Sequence, residues 1–412
     1  MDKRSKIAIT LAILLVICVC GFLLIVINYL TQNEVSIFGI GTPVEIIEDF
    51  DMPEEYDHTA TEQPVEVVPE FELTGIDYRL EGGLFELPIN GASGWAASNL
   101  PVHYPEFDSD ILLTLSPGDG FTIILESESH WYIELLGGQT GWVDYRGAFI
   151  NLPDILPSIR YRNAAASEEG SIMRSLTLSI PGVTGEVLSD AYDFNERFNR
   201  DMYIFPAMYS LAKSLAEVQF HAIDANRSLI IYESFRTAQM QRAVVEGMNA
   251  LIRSDERVRN AITTSPWSLT WFISTGISNH QRGAAVDAMI GNIIRYGQSQ
   301  VGDYIFMNIL FLDDLDRHMP SPIHELSPRA AIVSSPRDIT AQHLINGNIA
   351  MTERVTSVVR DLQRYFGLGG FTGLSSEWWH FNHPPSVSEA NAKGITGDFI
   401  ISSTQSRPPV KE

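Results

Sequence analysis

The chain has 412 residues, long enough for more than one core, and sets 28 Lys and Arg against 51 Asp and Glu, a net charge of -23. So acidic a surface repels phosphate backbones and lacks the sequence-independent attraction behind nucleic-acid binding, which excludes nucleic acid as a partner. The two cysteines, Cys18 and Cys20, both lie inside one apolar run, so neither an extracellular disulfide nor a thiolate metal site is expected.

Residues 1–6 hold Lys3, Arg4 and Lys6, and residues 7–30 that follow are uncharged, with Thr10 and Asn28 their clearly polar members. At about 1.5 Å of rise per helical residue such a stretch spans a hydrocarbon core of about 30 Å. No Lys or Arg occurs between Lys6 and Arg79, so the positive-inside bias predicts a cytoplasmic N-terminus, a single-pass membrane anchor over 7–30 and everything else outside. A signal peptide would end in small residues at an A-x-A-like site, whereas Val26, Ile27, Asn28, Tyr29 and Leu30 stand there. The expected localisation is therefore a bacterial cell membrane with the catalytic region extracellular. Residues 31–75 include many Asp and Glu with Pro43, Pro53, Pro64 and Pro69, the composition of an extended, disordered stalk.

Between about 76 and 160 short apolar and aromatic runs alternate with turn residues: 111–115, then Ser116, Pro117, Gly118, Asp119 and Gly120, then 121–125, 131–135, Gly137 and Gly138, and 141–143. Strands at this spacing predict a small all-β barrel or sandwich. Gly118-Asp119-Gly120-Phe121, Trp131-Tyr132-Ile133 and Gly141-Trp142-Val143 resemble bacterial Src-homology-3-like modules, which implies a wall-peptide ligand; a spacer without a ligand is the other reading.

From 165 to 400 the pattern is α+β. Met208, Leu211, Ala212, Leu215 and Val218 predict an amphipathic helix over 206–222, 228–232 reads as a buried strand, and 237–251 as a helix. Residues 284–290 read as a strand and 352–366 as a helix before Trp378-Trp379-His380-Phe381. Residues 401–412 are a tail.

Chemistry concentrates in two segments, Ser278-Asn279-His280-Gln281-Arg282-Gly283-Ala284-Ala285-Val286-Asp287 and Glu377-Trp378-Trp379-His380. On a continuous helix His280 and Asp287 would stand about 10 Å apart along the axis, too far to share an ion bound at about 2 Å. Gly283 supplies a bend that allows both to aim inward. Glu377 and His380 are three residues apart, so one can bind the metal while the other takes a proton from the water it activates. Two imidazoles and a carboxylate with an open fourth position suit zinc. Taken singly, each segment also fits an ordinary core strand with polar ends.

Together, Ser278-x-His280-x-x-Gly283-x-Ala285-x-Asp287 and Glu377-x-Trp379-His380 resemble the signature of the zinc D-Ala-D-Ala peptidases, the VanY-type carboxypeptidases and VanX-type dipeptidases. Ser234-Phe235-Arg236-Thr237 with Gln241 is similar to a third element of that family, Phe235 standing where the family has Tyr. The resemblance covers about 192–385. It implies zinc held by His280, Asp287 and His380, Glu377 as general base and acid, Arg236 as the cation that stabilises the carbonyl oxygen, and Ser278, Gln241 and Trp379 near substrate. The expected fold class is an α+β catalytic domain, a small antiparallel sheet with flanking helices and a zinc site, plus a small all-β barrel domain and one transmembrane helix.

His383 is followed by Pro384-Pro385 and would close the catalytic position as a fourth ligand. His318, His324 and His343 stand in a loop-like region and are expected to be solvated. Within the family, His280-x-Arg282-Gly283, the double Trp and the segment 319–328 lean toward a dipeptidase of free D-Ala-D-Ala. The expected outside location leans toward a carboxypeptidase acting on peptidoglycan stem peptides. A stem-peptide endopeptidase and a non-catalytic wall-binding protein are the further alternatives.

Overall fold

The computed structural model describes residues 66–67, 75–104, 110–162, 173–183 and 192–410. Strands form in the β-rich segment, but not as a separate small barrel. His130–Glu134 and Thr140–Asp144 alternate in burial, with Trp131, Ile133 and Val143 inward, the period of two that a half-buried strand imposes. These strands, with Ser93–Ala96, Leu100–His103, Ile111–Leu115, Gly120–Ser127 and Ala148–Asn151, form one sheet.

That sheet does not end at residue 160. Its edge strand is Pro206–Met208, which pairs antiparallel with Ala148–Asn151 and runs straight into the helix Tyr209–Asp224. The expected helix over 206–222 thus begins three residues late. Because Tyr209 packs edge-on against Trp131 at 5.0 Å, both regions draw on one continuous hydrophobic core. Residues from 63 onward form one compact unit.

A second sheet builds on Ala285–Val301, a strand of 17 residues. It pairs antiparallel with Arg227–Glu233, with Tyr304–Asp314 and with Glu377–Asn382. Thr372–Leu374 pairs antiparallel with Glu377–Asn382, and three short parallel pairings add to the sheet, Ile76–Asp77 beside Tyr304–Ile305, Arg160–Tyr161 beside Arg227–Glu233 and Glu66–Val67 beside Arg295–Tyr296. The latter lies within the stretch expected to be a disordered stalk. Helices Tyr209–Asp224 and Ser357–Leu368 bury apolar faces against this layer, and Ala238–Ser254 starts at Thr237, whose hydroxyl caps Met240 N.

The fold class needs correction on two points. The sheets are larger than expected, eight strands each, and the second is mixed, because Glu66–Val67, Ile76–Asp77 and Arg160–Tyr161 join its antiparallel centre in parallel. The expected anchor over 7–30, like residues 1–6, lies outside the described residues. Among the described residues no helix is long and apolar enough to cross a membrane. The longest, Ala238–Ser254, has 17 residues and carries Arg242, Glu246 and Arg253, whereas a span needs about 20 mostly apolar ones. Against the expectation of a transmembrane helix, and the cell-membrane localisation drawn from it, the described residues hold no helix able to span a membrane.

Residues 396–410 form no helix or strand, yet they strap the first sheet. Ser402 N donates to Gly118 O and Arg407 N to Gly91 O, while Trp95 Nε1 and Thr122 Oγ1 donate to the carbonyls of Ser402 and Gln405. Gly118 is required here: its φ is +93°, and a Cβ would lie 2.1 Å from Ile400 O. Ser406 Oγ donates to the fully buried Asp154 at 2.6 Å. Truncation after Asp398 leaves Trp95 Nε1 without its acceptor, at about 1–3 kcal/mol for a buried group left unsatisfied, and removes one of the donors to Asp154. The shortened chain is expected to unfold at clearly lower urea than the full chain; an unchanged midpoint would show the strap to be passive.

Candidate metal centre

The register of the second sheet places Asp287 opposite Glu233 on one side and opposite His380 on the other. Directly opposed residues share a face with Cβ atoms about 5 Å apart, so the three side chains stand in one row. A bulge between Ile231 and Glu233 produces this alignment, since without the extra residue the neighbouring position would oppose Asp287.

His280 reaches the same point from the turn before the central strand. Gly283 N donates to His280 O at 2.9 Å and Ala284 N to Asn279 O at 2.9 Å. Gly283 sits at φ +60°, and a Cβ there would lie 2.6 Å from the Phe149 ring, so both conformation and space require glycine. Phe149 belongs to the first sheet and also packs against Phe235 at 5.1 Å, which itself stacks on Phe399 at 5.3 Å. The β-rich region therefore holds the ligand turn directly.

His280 Nε2 and His380 Nδ1 lie 3.1 Å apart, and Asp287 Oδ1 is 3.3 Å from the first and 3.0 Å from the second. The other ring nitrogens decide the tautomers. His280 Nδ1 faces Ser234 O at 2.8 Å, a carbonyl that only accepts, so this nitrogen carries the proton. His380 Nε2 faces Asn382 Oδ1 at 2.9 Å, an oxygen that also accepts from Asn279 Nδ2 at 2.8 Å. In the neutral rings His280 Nε2 and His380 Nδ1 are then bare lone pairs directed at a carboxylate oxygen. With both rings neutral, three electron-pair donors meet at one point, an arrangement a metal cation would satisfy, and outer partners of this kind are how metal-binding imidazoles are oriented. His280, Asp287 and His380 are all buried and form a group able to hold a metal ion.

Glu377 stands beside the centre, Oε2 4.0 Å from His380 Nδ1. Burial pushes its carboxyl up to about 8, with Asp287 adding to the rise and His380 and Arg236 opposing it. For Asp287 burial acts upward too; when the surrounding rings carry protons, the charge on His280 and the hydrogen bonds from His280, His324 and His380 outweigh it and hold the carboxyl well below the usual carboxylate range. Arg236 donates through Nε to Glu233 Oε1 at 2.8 Å, through Nη2 to Glu233 Oε2, and through Nη1 to Gln241 Oε1 at 2.8 Å. Gln241 in turn donates to Ser274 O at 2.8 Å. Burial works against the charge on Arg236, and Glu233 more than offsets it.

Every expected site residue lines one cavity of about 220 Å³: Ser278, His280, Asp287, Glu377, Trp379, His380, Arg236 and Gln241. Trp271, Phe272, Val244 and Leu326 supply apolar wall. Ser278 also serves locally, its Oγ accepting from Gln281 N at 3.3 Å. His383 is no ligand: its Nδ1 is 2.7 Å from Ser386 Oγ at the start of helix Pro384–Ala392, and burial lowers it to about 4.

Sequence reasoning misplaced His324. Rather than being solvated it is 1% exposed, its Nε2 3.0 Å from Asp287 Oδ2. No periodicity marks it, because 319–328 is irregular backbone. Glu233 was passed over for a different reason: it reads as the polar end of a strand until the bulge is known. His318 is exposed, and His343 is taken up in the capping box of Ala341–Asn346. Comparison of the chain with protein-family models and with curated proteins gives no match.

Glu377 also makes a pH prediction for the metal-free protein. Its folded carboxyl, raised from 4.5 to about 8, stays protonated where the unfolded chain's ionises, so it contributes stability below about pH 4.5 that is lost as pH rises through about 8. In chelator-treated protein Glu377→Gln is expected to flatten the fall in unfolding midpoint between pH 5 and 8. A variant with the wild-type slope would place the effect elsewhere.

Proposed function

We propose that the chain is a zinc metallopeptidase, a hydrolase of the D-Ala-D-Ala type that removes the terminal D-Ala from peptidoglycan stem peptides. The observation that carries this reading is the meeting, within 3.3 Å of one another, of two ring nitrogens and one carboxylate oxygen beside an independent carboxyl, Glu377, and a fixed cation, Arg236. The residues fit zinc, a borderline ion that takes nitrogen and oxygen donors and has no redox chemistry of its own. When bound, it would polarise the scissile carbonyl and ease ionisation of the attacking water.

The chain's own residues supply the remaining steps. His280, Asp287 and His380 would hold the ion. Glu377, with its proton affinity raised by burial toward neutral pH, accepts the proton of the attacking water and returns it to the departing amine. Arg236 is aimed by Glu233 and Gln241, so its guanidinium meets the charge that develops on the carbonyl oxygen without reorganising. The apolar wall of Trp271, Phe272 and Val244 suits small methyl side chains.

A peptide longer than two residues is supported by a second concavity of about 450 Å³ that shares Gln241 and Ile277 with the first. Its lining of Arg242, Glu246, Gln281 and Asp398 offers polar contacts to the rest of a stem. Free D-Ala-D-Ala would leave that groove empty.

The zinc-loaded protein is expected to release D-Ala from a stem pentapeptide, with Glu377→Gln and chelation each lowering kcat by at least about a hundredfold, in the range general-base catalysis contributes. Turnover of the free dipeptide alone would replace the carboxypeptidase by a dipeptidase, and cleavage within the stem by an endopeptidase. Full activity in Glu377→Gln would remove the assigned base.

A further inference from the structure

Each of the three metal-directed side chains has an outer partner. His280 has Ser234 O and His380 has Asn382 Oδ1. For Asp287 the partner is His324, whose Nε2 lies 3.0 Å from Oδ2 while Oδ1 faces the two ligand imidazoles. An ionised carboxylate only accepts, so His324 Nε2 carries the proton and donates. Among the described residues His324 Nδ1 is buried without a hydrogen-bond partner, and Asp287 is the ring's one polar anchor.

The chain keeps this imidazole in place at a cost. His324 has φ +59°, the left-handed region that a non-glycine residue enters at about 1 kcal/mol or more. Its loop is clamped around it: Arg174 N donates to His324 O at 3.0 Å, Leu326 N to Arg174 O at 2.7 Å, and Leu176 N to the fully buried Glu325 at 2.6 Å. Trp379 meets the ring edge-on at 6.0 Å. A buried imidazole in a strained backbone, with a single polar contact, is placed for that contact.

We propose that His324 is a positioning residue that occupies Asp287 Oδ2, so that Asp287 binds metal through Oδ1 alone and a coordination position stays open. The inference rests on the metallopeptidase reading. The competing arrangement uses Glu233, Asp287 and His324 as a second metal site, since their ligand atoms also lie within 4.8 Å of one another. Both oxygens of Glu233 already accept from Arg236, and a second cation would face that guanidinium. The geometry therefore favours the hydrogen bond.

The test compares His324→Gln with His324→Met in the full-length chain. The two side chains are similar in size, but only Gln donates. Zinc affinity is read by competition with a chromophoric chelator, and coordination number by the visible absorption of the cobalt-substituted proteins. Loss of an outer partner typically weakens metal binding about 10- to 100-fold. His324→Met is expected to bind zinc that much more weakly and to show the weaker cobalt bands of a higher coordination number, while His324→Gln stays near wild type, with one ion per chain throughout. Equal affinities and spectra for Met and wild type would overturn the proposal. So would two ions in wild type falling to one in His324→Met, which would make His324 a ligand. A wild-type chain that binds no zinc would overturn the metallopeptidase reading as well. The expected affinity pattern without peptide cleavage would overturn the peptidase activity alone.

Discussion

The site depends on one alignment: Asp287 stands in the central strand with Glu233 opposite on one side and His380 on the other. A shift of one residue in either pairing would turn its partner to the far face of the sheet, because side chains alternate with period two. The first pairing is set by the bulge before Glu233, the second by the short strand Glu377–Asn382, whose apolar members Trp378, Trp379 and Phe381 are all buried. Core packing thus fixes where the ligands stand.

From that alignment the electrostatics follow. A buried row of Glu233, Asp287 and nearby Glu377 would repel itself without cations. Arg236 compensates Glu233, which leaves Asp287 facing the imidazoles and Glu377 holding a proton up to about pH 8. A divalent ion at the meeting point would balance the remaining charge, and Glu377, beside the centre, would feel its field. The β-rich region contributes through Phe149, which presses on Gly283 and so ties the His280 turn to the first sheet. Its strands share a core with the second region and are strapped by the C-terminal residues, so it acts as part of the site's scaffold.

Much of the site was legible because its chemistry sits on short, strongly marked segments. His280 to Asp287 needs a bend, and Gly283 announces it. Glu377 to His380 joins polar ends to a buried aromatic pair. Arg236 and Gln241 follow a buried strand whose apolar run is plain. What remained hidden was tertiary: the bulge that brings Glu233 into line, the left-handed backbone that aims His324 inward, and the edge strand Pro206–Met208 that carries the later chain into the first sheet. None of these has a periodic signature. The apolar run over 7–30 suggested an anchor from its length and lack of charge, whereas the described fold is built from sheets and helices with charged faces.

The central claim is that His280, Asp287 and His380 hold one zinc ion together. Zinc-edge X-ray absorption on the full-length protein loaded with one equivalent of zinc tests it most directly. Scattering from two imidazoles with the remaining ligands oxygen is the predicted result, falling to one imidazole in His280→Ala. A shell of oxygen alone, or a wild-type spectrum unchanged in His280→Ala, would contradict it.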